Sequence, residues 1–184
     1  MRIDDLKAEL ANGFGAARSN RYRLLLPAFQ YETRPETMNI LCDSVSIPGR
    51  QILTSERTTD MKVRPVAYGF AQEDVEASFI LTNDWSAWNY LYEWQKKVIG
   101  RIDALNNYQV NFKDDYARDI EIEHLNYSNQ FSQIAKKIVL LNAYPTTLNA
   151  IELSNSSENE IIRVSVSFSY DNWRKVAGSV ERND

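Results

Sequence analysis

Apolar and polar residues alternate along most of this chain, the pattern of half-buried β-strands. The cleanest run lies near the end: Ile162, Val164, Val166, Phe168 and Tyr170 share one side, Arg163, Ser165, Ser167 and Ser169 the other. One face is a core face; the other is a row of small hydroxyls that suits solvent, a second layer or a lumen. DVEASFILT repeats the pattern with Val75, Ala77, Phe79 and Leu81, and RYRLLL sets Tyr22, Leu24 and Leu26 against Arg21 and Arg23 until Pro27 ends the run. RDIEIEHL and IAKKIVLLNAYP read as further strands, with TTLNAIEL as a weaker strand or linker. PETMNILCDSV also alternates, which predicts a strand with Met38, Ile40 and Cys42 on one face and a turn at Pro48-Gly49. In MKVRPVAYGF the phase slips after Pro65, from Met61 and Val63 to Val66, Tyr68 and Phe70. Proline cannot donate to a ladder, so a bulge or an edge position is expected there.

The period lengthens to that of a helix in two stretches. Ile3, Leu6 and Leu10 are helically spaced before Gly13 and Gly15, predicting a short helix or arm. NDWSAWNYLYEWQKKVIG opens on cap-forming Asn83 or Asp84 and closes on Lys96-Lys97 and Gly100. Its predicted buried stripe is Trp85, Trp88, Leu91, Tyr92, Gln95 and Ile99, widened by Trp94 and Val98. Arg50 to Asp60 is polar without a sustained period and reads as a long loop, a kind of segment that often reaches a partner. A second polar loop is expected at Lys113-Asp114-Asp115. The chain as a whole reads as mainly β with one flanking helix.

Composition narrows the function. A length of 184 residues suits one domain with its own core. The net charge of −4 opposes a role in gripping nucleic acid through its phosphates, which needs a basic face. It is compatible with a surface that lets DNA pass. Ten tyrosines and four tryptophans suit partly buried contacts such as subunit interfaces. One cysteine excludes an internal disulfide and fits a reducing compartment. The opening MRIDDLKAELANGFG is charged, so no secretory leader is expected, and no run of about 18 apolar residues suggests a spanning helix.

Reactive residue types gather in LCDSVSIPGRQ, Leu41 to Gln51, but a nucleophile needs a base. The single histidine, His124, lies within a strand pattern; a Cys42–His124 pair formed in space stays open to the structure. Cys42 falls on an apolar face, where a buried structural thiol is the ordinary case. Glu121 and Glu123 share a strand face, which reads as solvated or interfacial carboxylates. Asp114 and Asp115 are turn formers without the spaced ligands of a calcium loop. One His and one Cys supply no zinc set, and no Gly-rich phosphate cradle occurs. No cofactor, metal or catalytic residue is expected. The tryptophans of the helix could stack sugars, but helical spacing more simply packs them on a sheet.

The order of these features resembles a known family. An N-terminal arm, a first strand from Asn20, Cys-x-Ser-x-Ser-x-Pro-Gly at Cys42 to Gly49, WQKKVIG at Trp94 to Gly100, YARDIEIEHL at Tyr116 to Leu125 and NEIIRVSVSFSYDNW at Asn159 to Trp173 follow one another. The series is similar to the tail tube proteins of T-even-like contractile-tailed phages. The resemblance implies an antiparallel β-sandwich or barrel-like domain over 20–173, after an arm over 1–19 and before an extension over 174–184. It implies hexameric rings, stacked into a tube whose continuous β-barrel lumen conducts DNA, within a virion assembled in the host cytoplasm. The implied partners are further copies of the chain, the sheath protein, and the baseplate and tail-terminator proteins. Tape-measure protein and genomic DNA would occupy the lumen without tight binding, and no stable membrane insertion is implied. On this reading Gln51, Ser55, Glu56, Arg57, Thr58 and Asp60 are the expected contact to a neighbouring subunit or ring. A baseplate protein that initiates the tube, the tube of a type VI secretion or phage-like injection apparatus, and, from another class, a small cysteine hydrolase are the alternatives.

Overall fold

The computed structural model describes residues 3–12, 16–29, 35–59, 62–101, 108–126, 134–154 and 161–177. In chain order these form α1 (Ile3–Asn12), β1 (Tyr22–Leu25), α2 (Pro35–Leu41), β2 (Cys42–Val45), β3 (Arg50–Thr59), β4 (Lys62–Gln72), β5 (Val75–Ile80) and α3 (Ser86–Val98). Then come β6 (Ile99–Arg101), β7 (Tyr108–Val110), α4 (Lys113–Tyr116), β8 (Arg118–Leu125), β9 (Ile134–Leu148), β10 (Arg163–Ser169) and β11 (Asn172–Ala177). The fold is mainly β and antiparallel, as the alternation predicts.

One long strand organises the sheet. The first part of β9 lies between β8 and β11, from Lys136↔Ala177 to Leu141↔Asn172, and its end pairs with β10, from Tyr144↔Ser169 to Leu148↔Val166. Because β10 passes into β11 through Tyr170-Asp171, both track the same side of β9. β1 pairs outside β8, while β5 and then β2 pair outside β10, giving the order β1-β8-β9-β10-β5-β2. Among the described residues the barrel is not closed by pairing. The two end strands are instead bridged by Tyr22 Oη, which donates to Cys42 O at 3.2 Å.

The sheet bends where β9 changes partners. Asn142 has φ 53, the left-handed region that costs most L-residues about 1–2 kcal/mol and that asparagine tolerates best after glycine. Three hydrogen bonds hold it: Asn142 N–H to Asp119 Oδ1 (3.1 Å), Asn142 Nδ2 to Asp171 Oδ2 (2.9 Å), and Asp171 N–H to Leu141 O (3.0 Å). Lys113 pairs with the same Asp171, holding that carboxyl below the usual carboxylate range.

Both halves of the bent sheet feed one core. Leu24, Ile120, Ile122, Ile138 and Leu140 come from one half and Val75, Ala77, Phe79, Val164, Val166 and Phe168 from the other. Met38 of α2 and Ala87, Tyr90, Leu91 and Trp94 of α3 complete it. Trp94 is the hub: its ring lies 5.0 Å from Phe29, 5.8 Å from Phe168 and 6.1 Å from Tyr90, and its Nε1 donates to Tyr116 O at 2.9 Å.

Several expectations are corrected. Residues 35–41 are helical, with Met38 fully buried and Ile40 83% exposed; residues two apart diverge on a helix but align on a strand. On α3 the buried stripe is rotated to Ala87, Tyr90, Leu91 and Trp94, leaving Trp85, Tyr92 and Ile99 exposed. This helix is apolar over most of its circumference, so periodicity alone could not choose the stripe. Its cap position is Trp85 at φ 56, while Asp84 Oδ1 accepts the Ser86 N–H at 3.3 Å. Lys113 to Tyr116 form a helical turn where a loop was expected, and β9 extends through Thr146, Thr147 and Leu148.

Replacing Asn142 tests the bend. Asn142→Ala loses the amide bond and meets the left-handed penalty, a cost of about 2–3 kcal/mol in chemical denaturation. Asn142→Gly keeps the backbone freedom and should cost about half as much.

Candidate assembly surface

The expected polar loop from Arg50 to Asp60 is instead a strand. β3 pairs with β4 from Arg50↔Gln72 to Thr59↔Lys62, and the two form a separate two-stranded ribbon. Polar residues in both strands hide the period, because neither face of this ribbon is buried in a core. Pro65 stands opposite Glu56 without disturbing the register. The slip occurs two pairs further on, where Leu53↔Gly69 is followed by Thr54↔Ala67 and Tyr68 is the extra residue. Pro65 is accommodated by the free edge of β4, one of the two expected solutions, and the bulge belongs to Tyr68.

This register divides the predicted contact residues between two faces. Gln51, Ser55 and Arg57 point one way and Glu56 the other, with Thr58 further along the same strand. Gln51, Glu56 and Arg57 are exposed and Ser55 is half-buried, while Asp60 lies outside the described residues. Arg57 stands directly across from Arg64, beside Lys62, so one face carries like charges in register, an unfavourable arrangement for an isolated hairpin. The other face, which also carries Glu56, exposes apolar side chains: Ile52 opposite Phe70, and Val63 further along, are each more than half exposed, and Tyr68 at the bulge is 68% exposed. Sequence reasoning missed this face. The available signal was the apolar pair Ile52 and Phe70, which the hairpin register sets opposite each other.

A clamp sets the angle at which the hairpin leaves the body. The Arg50 guanidinium lies 4.7 Å from the Phe70 ring centroid and 5.2 Å from that of Trp173. Arg50 Nη2 and Gln72 Nε2 both donate to Asn172 Oδ1, each at 3.3 Å. Tyr170 Oη donates to Glu73 O at 2.9 Å, tying the next turn to the end of β10. Burial pushes the Tyr170 hydroxyl pKa up, which keeps it a donor. Each cation–π contact of this kind contributes about 0.5–2 kcal/mol. Gln72 Oε1 and Trp173 Nε1 are buried at the same place without a hydrogen-bond partner among the described residues.

The reactive-looking corner is structural. The Cys42 thiol donates to Ser44 O at 3.4 Å, and burial pushes its pKa to about 11. His124 Nε2 lies 3.0 Å from Arg18 O, on the far side of β1, where Tyr22 is its cross-strand neighbour. The corner after β2 is pinned to β5, with Ser46 N–H donating to Glu76 O and Ser46 Oγ accepting the Glu76 N–H, both at 2.8 Å. Of the two expected readings for Glu123, solvated or interfacial, the solvated one does not hold. Glu123 is 3% exposed, 3.6 Å from Lys137 Nζ and 3.8 Å from Arg23, because the long side chains of β1 and β9 close over it. Glu121 keeps an open ion pair with Lys137 at 2.6 Å, which raises the lysine pKa. On the face opposite the core, Ser44, Ser78 and Ser165 form one cross-strand row of hydroxyls.

Comparison with known proteins points one way. The family model described as phage tail tube protein matches residues 16–176. In fold, the chain is similar to a chain of the sheath/tube terminator of an extracellular contractile injection system, PVC. That match has 16% identity and a TM-score of 0.62, covering 88% of this chain and 97% of the other. A chain of the PVC sheath-tube complex is similar at 15% identity and TM-score 0.60, covering 96% and 99%. A chain of the anti-feeding prophage tube-terminating cap is similar at 19% identity and TM-score 0.59, covering 88% and 91%. No curated protein matches.

The geometry sets two expectations. Arg50→Ala should release the hairpin, speeding amide hydrogen exchange across residues 50–72 about tenfold or more while exchange in β9 and β10 is unchanged. Alkylation of Cys42 at pH 8 should run roughly a hundredfold slower than for a free thiol and accelerate as pH rises toward 11, since only the thiolate reacts.

Proposed function

Because the chain belongs to the phage tail tube protein family, we propose that it is the ring-forming subunit of a contractile tail tube. It is a structural protein and not an enzyme. Six copies close a ring, and rings stack into a hollow tube inside a sheath. The observation that carries this reading is the hairpin: ten- and eleven-residue strands stand off the body with an apolar face that a lone monomer leaves in water. Gln51, Ser55, Glu56, Arg57 and Thr58 lie along β3 of that hairpin, and together with Asp60 they are proposed contacts to the next subunit or ring. The outer edges of β1 and β2, which pair with no strand among the described residues, give the reading further support, since pairing across subunits removes exposed edges.

The hydroxyl row of Ser44, Ser78 and Ser165 supports a neutral wall past which DNA and the tape-measure protein slide. Stacking head to tail is open-ended, so the tube needs a baseplate to start it and a terminator to stop it. Assembly would occur in the host cytoplasm before incorporation in the virion. A second reading, favoured by the likeness in fold to the PVC terminator and the anti-feeding prophage cap, is a single-ring member of the same apparatus that ends the tube.

Electron microscopy of the purified protein separates the two. A tube subunit forms long hollow rods at high concentration; a terminating or initiating member forms single rings. If rods form, Glu56→Lys and Arg57→Glu should abolish them while circular dichroism shows the folded monomer. Rods of unchanged length from both variants would remove these residues from the interface.

A further inference from the structure

Three cations share one face of the hairpin. The register sets Arg57 directly across from Arg64, with Lys62 two residues from Arg64 on the same side, and all three are exposed. No charged residue occurs from Gln51 to Ser55 or from Val66 to Ala71, and Glu56 points to the other face. None of the three cations makes an ion pair among the described residues. The opposite charge lies at the root of the same hairpin. Where β4 passes into β5, Glu73, Asp74 and Glu76 are exposed and likewise make no ion pair among the described residues. The two charges cannot answer each other within one copy. Arg64 lies eight residues along β4 from Gln72, about 25 Å of extended strand, whereas salt screens exposed charges beyond about 8 Å.

We propose that the Arg57/Lys62/Arg64 face of one copy's hairpin docks on the acidic turn from Glu73 to Glu76 of a neighbouring copy. This rests on the reading that copies of the chain assemble. Carboxylates laid against the ribbon relieve its like-charge row, and opposite charge guides the approach. A second acidic stretch, at Asp114, Asp115 and Asp119, fits less well, because Lys113 and Arg118 stand among its carboxylates and leave it nearly neutral. The acidic turn is also held in place: Tyr170 Oη donates to Glu73 O, and Gln72 Nε2 donates to Asn172 Oδ1 just before it. A fixed backbone loses little freedom when a partner arrives. Donor and acceptor surfaces lie at opposite ends of one element, so the contact is head to tail and each copy passes it on to the next. An exposed ion pair contributes little alone, but this one recurs at every interface of the assembly.

Exchange of the charges tests the contact. Arg57→Glu with Arg64→Glu should raise the protein concentration at which assemblies sediment by about tenfold or more. Adding Glu73→Lys and Asp74→Lys to the same chain should bring that threshold back to within about threefold of the unmodified chain, since the pairs form again with their signs exchanged. Adding Asp114→Lys and Asp115→Lys instead is the control and should not restore it. If circular dichroism shows the fourfold variant unfolded, the two double variants are mixed. Arg57→Glu/Arg64→Glu chains and Glu73→Lys/Asp74→Lys chains should each fail alone at the unmodified threshold, and an equimolar mixture should sediment with both chains in the pellet. An unchanged threshold after the first reversal, no restoration by the Glu73 and Asp74 exchange, or equal restoration by the control overturns this contact and leaves the tube reading standing. Absence of any assembly by the unmodified chain overturns both.

Discussion

The left-handed backbone at Asn142 is the constraint on which the other features depend. A fifteen-residue strand that ran straight would carry its two sets of partners along one flat sheet and leave each with half a core. Bent at Asn142, β9 brings Ile138 and Leu140 on one side of the corner together with Val166 and Phe168 beyond it, over Trp94. The corner is polar and fully engaged. Asp119 and Asp171 meet the asparagine there and Lys113 pairs with Asp171, so the change of strand partner occurs where hydrogen bonds already fix the backbone.

The same corner positions the hairpin. Asn172 follows Asp171 immediately, and its side-chain oxygen receives both Arg50 and Gln72, the first and last residues of the ribbon. A two-stranded hairpin has little stability alone. Here its base is held by an arginine between two aromatic rings while Ile52, Val63 and Phe70 stay more than half exposed, which combines a defined direction with an uncovered surface. That combination suits a protein that builds contacts with copies of itself.

Much of this could be read before folding was considered. The strand at Val75 to Ile80, the terminal run from Arg163 to Ser169 and the helix around Trp94 follow directly from period-two and period-3.6 spacing. Where reasoning failed, the local pattern was ambiguous. Met38, Ile40 and Cys42 alternate as a strand would, yet helix packing buries Met38 and exposes Ile40. Arg50 to Thr59 looks like a loop because no core face imposes alternation on it. Glu123 looks solvated because nothing local reveals that Arg23 and Lys137 arrive beside it from distant strands.

By itself, then, the sequence determined the mainly β class, the order of most strands and the flanking helix. These depend on spacing, composition and short-range chemistry, which are present in the unfolded chain. The tertiary structure decided which stripe of α3 is buried, where β9 bends, that residues 50–72 form a ribbon, and that its predicted contact residues split between a charged and an apolar face. Those outcomes depend on register and on side chains brought together from far apart, such as Arg50 with Trp173, and no local pattern encodes them.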